Sequence, residues 1–237
     1  MKRTKSYFIH GFNEDKQNWD NLFSHWEPYK TLPQIMAEKR GQTVKYDTGA
    51  EFPTEIIEWK SGKIENSLFN FIDLCLNKEK IFDYWDIWDT ANKDAIELGA
   101  RMARHINKFY TTGEKIILSA HSLGSVAVLE IAKNLNPEIN IYLFMMGGSA
   151  SVHDYNHTID NHKNIKLVNN IYSTKDFELN VLKRQHPTLH PIGTTALSPN
   201  RIIVTNFEAS IAHSDYKKNN SVQSIFRDFT KAVANHN

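Results

Sequence analysis

Residues 115–124, Lys-Ile-Ile-Leu-Ser-Ala-His-Ser-Leu-Gly, join an apolar run to a serine flanked by small residues. This pattern predicts a strand that ends in a tight turn and continues as a helix. The turn would force Ser122 into a strained backbone conformation, and the residues two before and two after it must then be small. Ala120 and Gly124 meet that requirement. The Ser122 hydroxyl would stand clear of the sheet at a helix N-terminus, where free N–H groups can stabilise an oxyanion.

The size and composition are those of one globular domain. The chain has 237 residues, of which 41% are hydrophobic and 23% charged, and we expect residues 1–237 to form a single domain. The net charge of +1 gives no basic surface for nucleic acid. Cys75 is the only cysteine, so an intrachain disulfide is impossible, and we interpret it as a buried thiol.

Strand-like and helix-like segments alternate along the chain, which favours a parallel sheet covered by helices. The pattern predicts strands at 6–10, 43–46, 115–119, 140–146, 165–172 and 201–205, with a further strand or strand-to-loop segment at 80–85. It predicts helices near 17–26, 32–40, 54–79, 90–110, 123–135 and 221–235, and loops around 153–162 and over 177–200.

A serine hydroxyl needs a histidine to take its proton, and that histidine needs a carboxylate to orient it. After an elbow of this kind the acid and then the histidine follow in chain order, each after a late strand. Asp176 follows the predicted strand 165–172, and His213 follows the strand 201–205 just before the last helix. We therefore expect Ser122, Asp176 and His213 to be the catalytic residues.

Other carboxylates and histidines are weaker candidates. Asp154 and Asp160 follow the preceding strand, a position that could also supply the acid, although they are equally typical of a solvated loop. His186 and His190 lie near prolines in a surface loop. The remaining candidates form a loop cluster whose irregular spacing disfavours a metal site, namely His153, His157 and His162.

An oxyanion hole needs two backbone N–H donors. One should come from Leu123, directly after the serine, and the other from the loop that follows an earlier strand. The segment His10-Gly-Phe-Asn13 fits that loop, with Phe12 presenting its N–H. We interpret His10 as a packing or hydrogen-bonding residue of the loop rather than as the base.

Together, Phe8-Ile-His-Gly-Phe-Asn13, Ala120-His-Ser-Leu-Gly124, Asp176 and His213 resemble the serine α/β-hydrolase superfamily over nearly the whole chain. The stretches Asn170–Asp176 and Ala212–Tyr216 resemble a poorly characterised branch that includes transmembrane-and-coiled-coil domain proteins. The resemblance implies the α/β-hydrolase fold: a mostly parallel sheet of about six strands with helices on both faces. The chain starts almost at the strand before the oxyanion loop, so we expect a reduced N-terminal edge.

The resemblance also implies an esterase-like or lipase-like enzyme that cleaves a carboxylic ester or thioester through an acyl-enzyme on Ser122. Two alternatives remain: an inactive scaffold that only binds, and an acyltransferase with the same triad. We expect a small-molecule or lipid ester as substrate, no cofactor and no metal. No run approaches the roughly 20 apolar residues of a membrane span, and we expect a cytoplasmic protein.

Overall fold

A six-stranded sheet, parallel throughout, organises the part of the chain that the structure describes. The computed structural model describes residues 3–12, 19, 54–57, 59, 78–198 and 202–236. The strands are β1 (Thr4–Ile9), β2 (Thr54–Ile57), β3 (Lys115–His121), β4 (Asn140–Met146), β5 (Ile165–Tyr172) and β6 (Ile203–Glu208). Their order across the sheet is β2-β1-β3-β4-β5-β6. The predicted parallel sheet of about six strands is therefore confirmed.

Five α-helices lie between or after these strands in the described ranges. They are α1 (Lys78–Phe109), α2 (Gly124–Asn134), α3 (Val152–Asn161), α4 (Phe177–Gln185) and α5 (Asn220–Asn235). Two short 3₁₀ helices, Ile192–Thr194 and His213–Lys218, connect β5 with β6 and β6 with α5.

The four central strands, β1, β3, β4 and β5, are buried on both faces, and their successive side chains alternate between these faces. In β3, Ile116 and Leu118 join a core cluster with residues of α1, α2 and α3. Ile117 between them joins a second cluster with Phe226 and Phe229 of α5. Helices therefore cover both faces of the sheet, as predicted.

Several element predictions are confirmed with shifted bounds, and others are wrong. Residues 54–57 form an edge strand rather than the start of a helix, and residues 80–85 are the first turns of α1 rather than a strand. The loops predicted around 153–162 and over 177–200 contain α3 and α4. The helices expected at 17–26 and 32–40, the strand at 43–46 and Cys75 lie outside the described residues, except for Trp19.

The strand order creates a crevice at one place along the carboxyl edge of the sheet. The chain leaves β1 toward β2 on one side, whereas it leaves β3 toward β4 on the other side. Ligands of open α/β sheets bind where the connections diverge in this way. The loop after Ile9 and the turn at Ser122 both lie at this point, since Ile9 pairs with Ala120.

Candidate active site

The turn after β3 is strained at the serine. Ser122 has a φ of 49°, and among the described residues no other non-glycine residue has a positive φ. Such a conformation costs on the order of 1–3 kcal/mol and persists only where neighbouring structure enforces it. Here the Ser122 N–H donates to the Met146 carbonyl at 3.1 Å, and the Ser122 carbonyl accepts from the N–H groups of Ser125 and Ser149, each at 3.0 Å. The end of β4 thus holds the turn in place.

The small residues around the serine are required by contact. A Cβ atom on Gly124 would lie 2.1 Å from the Ile9 carbonyl oxygen and 2.8 Å from that of His10. Both are backbone atoms, so neither can move aside cheaply. Ala120 is fully buried in the core between sheet and helix. The predicted reason for small residues at these two positions is therefore the packing that the structure shows.

Asp176 is fixed by its own local sequence. It is fully buried and caps the N-terminus of α4, where its Oδ1 accepts a hydrogen bond from the Leu179 N–H at 3.0 Å. An aspartate is among the preferred N-cap residues because its carboxylate satisfies a free N–H of the first turn. This bond occupies one carboxylate oxygen and directs the other, Oδ2, away from the helix.

His213 meets that second oxygen. Its Nδ1 lies 2.8 Å from Asp176 Oδ2, and its side chain is 15% exposed whereas that of Asp176 is 0% exposed. A carboxylate can only accept, so Nδ1 carries the proton, which leaves Nε2 as the ring nitrogen able to take a proton from a nucleophile. The acid and histidine expected from their places after β5 and β6 therefore contact each other in the structure.

The histidine segment also contacts the end of β3. Nε2 of His121, the residue before the serine, lies 2.9 Å from the His213 carbonyl oxygen. The backbone of His213 is thus hydrogen-bonded to the residue that directly precedes Ser122. Neither His121 nor its contact was expected from the sequence, although its place directly before Ser122 was a signal that could have drawn attention to it.

Tyr216 is a second residue that the sequence analysis missed. It is fully buried, and its ring lies against Gly147 at the end of β4, where a Cβ atom would come within 2.8 Å of it. Burial raises the pKa of the Tyr216 hydroxyl, and the negative charges of Asp176 and Glu178 raise it further. Tyr216 therefore stays neutral and acts through packing.

The competing candidates lie elsewhere. Asp154 is an exposed residue in the first turn of α3, where it accepts a hydrogen bond from the N-cap Ser151. Asp160 is exposed on the same helix. His153 and His157 are exposed on α3 as well, and His162 follows the helix, so the predicted loop cluster is helical. His186 and His190 follow α4.

The predicted oxyanion donors lie on either side of the crevice. Leu123 directly precedes α2, so its N–H belongs to the helix N-terminus that has no intrahelical acceptor. Phe12 follows β1 and packs against the core. His10 is 1% exposed, its ring stacks on Trp59 and its carbonyl accepts from the Trp59 indole N–H at 3.2 Å. His10 is therefore a packing residue of this loop, as interpreted.

Two features are absent from the parts of the chain that the structure describes. No cluster of three or more histidine, cysteine or acidic residues there could hold a metal ion. No described helix combines the length and the apolar composition that crossing a bilayer would require.

Comparison with known proteins finds distant structural likeness. No family model matches the chain, and no curated protein matches it. A protein described as a hydrolase of the alpha/beta superfamily from Xanthomonas campestris pv. campestris is 10% identical, with a TM-score of 0.46 and full coverage of both chains. A type II thioesterase from the yersiniabactin NRPS/PKS biosynthetic pathway is 11% identical, with a TM-score of 0.42, covering 98% of this chain and 92% of its own.

At this level of similarity neither structure informs on the reaction or the substrate of this chain. The resemblance to transmembrane-and-coiled-coil domain proteins that the sequence suggested finds no support in these comparisons. The fold is defined by the chain's own sheet order and register. The parallel sheet, the divergence of its connections after β1 and β3, and the strained turn at Ser122 give this chain the α/β-hydrolase fold.

Proposed function

We propose that this chain is a serine hydrolase that cleaves a carboxylic ester or thioester through an acyl-enzyme on Ser122. The observation that supports this most is the hydrogen bond between Asp176 and His213, which joins the segments after β5 and β6, while His213 also contacts His121, the residue directly before Ser122. A buried carboxylate that orients an imidazole next to an activated hydroxyl is the arrangement that acyl transfer requires.

Each residue has one role in the proposed reaction. Ser122 Oγ attacks the carbonyl carbon while His213 Nε2 takes its proton, and Asp176 stabilises the resulting imidazolium. The N–H groups of Phe12 and Leu123 stabilise the oxyanion of the tetrahedral intermediate. His213 then returns the proton to the leaving alcohol or thiol, which breaks the ester bond and leaves the acyl group on Ser122. Water, deprotonated by His213, releases the acid and restores the serine.

The decisive experiment uses a fluorophosphonate probe, which phosphonylates an activated serine. We expect the wild-type protein to be labelled and Ser122→Ala to lose the label. Ser221→Ala, at the exposed start of α5, is the control and should be labelled as the wild type is. A folded wild-type protein that takes no label would contradict the proposal and favour a scaffold that only binds.

Substrate class is tested with nitrophenyl esters and thioesters of graded acyl length. We expect Ser122-dependent hydrolysis of at least one series, and a rate that peaks at short chains would exclude a lipase. Added alcohols or amines separate the acyltransferase alternative, because a transferase forms a new ester or amide at the expense of the free acid.

A further inference from the structure

His121 contacts the catalytic segment from the strand that carries the nucleophile. It is the last residue of β3 and is 1% exposed. Its Nε2 lies 2.9 Å from the carbonyl oxygen of His213, a residue 92 positions later in the chain. A carbonyl oxygen can only accept, so His121 Nε2 carries the proton and donates it. This donor is fixed in space because its own backbone is part of the sheet.

Two different atoms of His213 are therefore held by two different elements. Asp176 Oδ2 holds the ring through Nδ1, and His121 holds the main chain through the carbonyl oxygen. The ring bond by itself fixes only the distance between Nδ1 and the carboxylate. The main-chain bond fixes the point from which the ring projects, so the two together determine where Nε2 points.

Aromatic rings pack beside this partly buried bond. The His121 ring lies 4.7 Å from that of His213 and 5.5 Å from that of Tyr216, measured between ring centroids. Trp19 packs on His121 at 4.8 Å. A hydrogen bond that is shielded from bulk water is stronger than one in water, so the loss of this donor should weaken the attachment of the His213 main chain to β3.

We propose that His121 is a positioning residue for the base: by donating Nε2–H to the His213 carbonyl it sets the place of the catalytic imidazole relative to Ser122. This inference rests on the hydrolase function proposed above. His121 takes no proton from the substrate and contacts no reacting atom. Its effect should appear in the rate of the chemical step and not in substrate binding.

Three substitutions distinguish the effect of the His121 hydrogen-bond donor from the effect of its ring. His121→Gln places an amide N–H at the reach of Nε2, His121→Asn places one only at the reach of Nδ1, and His121→Phe keeps a ring without a donor. We expect Phe and Asn to lower kcat about 10- to 100-fold with KM within about twofold, because small displacements of a catalytic group cost that much. Gln should restore kcat to within about threefold of the wild type.

The control is His105→Phe, which changes an exposed histidine of α1 that packs on Phe109. It should leave kcat and KM unchanged. If His121→Phe retains kcat within about threefold while folded, or if Gln loses as much as Phe, the inference is wrong. A loss that appears in KM alone would also contradict it.

A second measurement does not depend on activity. The proton on His213 Nδ1, bonded to Asp176, should give a low-field resonance in protein labelled with ¹⁵N-histidine, assigned by its loss in His213→Ala. We expect the resonance to disappear or broaden in His121→Phe and to persist in His121→Gln. An unchanged resonance in His121→Phe would overturn the inference. If the wild type hydrolyses no ester and takes no label, only the hydrolase proposal fails, and the resonance still decides whether His121 positions His213.

Discussion

The segments that carry the proposed acid, Asp176, and the proposed base, His213, are held in different ways. Asp176 is fully buried and fixed by residues within a few positions of it, since its N–H donates to the Ser173 carbonyl and its Oδ1 caps α4. His213 begins a 3₁₀ helix whose only buried residue is Tyr216, and its contacts come from distant parts of the chain. The acid is thus placed by local structure and the base by tertiary contacts.

This difference shows where the site can fail. Substitutions near Asp176 that keep the cap should leave the segment folded and affect chemistry alone. Substitutions that touch the supports of the 213–218 helix should affect both stability and activity, because long-range contacts join this helix to the ends of β3 and β4. Three changes test this comparison, from the largest expected effect to the smallest.

Asp176→Asn should have the largest effect on the reaction. Asparagine still offers an oxygen to the Leu179 N–H, so α4 should remain capped and the melting temperature should change little. The amide cannot stabilise the imidazolium and favours the wrong tautomer of His213, so kcat should fall by about 10⁴-fold. Asp154→Asn, in the first turn of α3, is the control for ester hydrolysis and thermal unfolding. A kcat within tenfold of the wild type would show that Asp176 is not the acid.

Gly147→Ala should lower both the free energy of unfolding and kcat. Gly147 has a φ of 48°, and a Cβ atom there would lie 2.8 Å from the buried Tyr216 ring. Backbone strain and overpacking together should lower the free energy of unfolding by about 3 kcal/mol. Displacement of the 213–218 helix should lower kcat as well.

Gly113→Ala supplies the control for strain, since Gly113 has a φ of 77° in the turn before β3, at the opposite edge of the sheet. It should cost about 1–2 kcal/mol and leave kcat unchanged. Equal effects of the two glycine substitutions on kcat would mean that Tyr216 does not support the base segment. Denaturant unfolding measures the free energy of unfolding of the two variants, and ester hydrolysis measures their kcat.

Tyr216→Phe should have the smallest effect. The Tyr216 hydroxyl is buried, and nothing in the described part of the chain forms a hydrogen bond with it. Its removal should therefore change the free energy of unfolding by less than about 0.5 kcal/mol, or raise it slightly. Tyr216→Leu, which removes the ring, is the comparison and should destabilise the protein clearly. A large loss in Tyr216→Phe would reveal a hydrogen bond that matters to the fold.

Some elements could be predicted because their signal is local. β4 begins and ends with the segment 140–146, which is apolar from Ile141 to Met146, since a strand buried on both faces favours a continuous apolar run. α3 could have been predicted too, because Ser151 caps it and Asp154 follows three residues later. β2 has only four residues at the sheet edge, and so short a strand lies within a pattern that also suits a helix.

The sequence by itself determined where the chain turns at Ser122, because an apolar run followed by small residues at 120 and 124 is what a tight turn at the serine requires. It also determined that an aspartate and then a histidine come after Ser122 in the chain, each following a strand. Only the tertiary structure decided that Asp176 meets His213, that His121 reaches the His213 carbonyl and that Tyr216 packs against Gly147. The two hydrogen-bonded pairs are 37 and 92 positions apart in the chain. Residues so far apart come into contact only when the strand order brings their loops to one edge of the sheet.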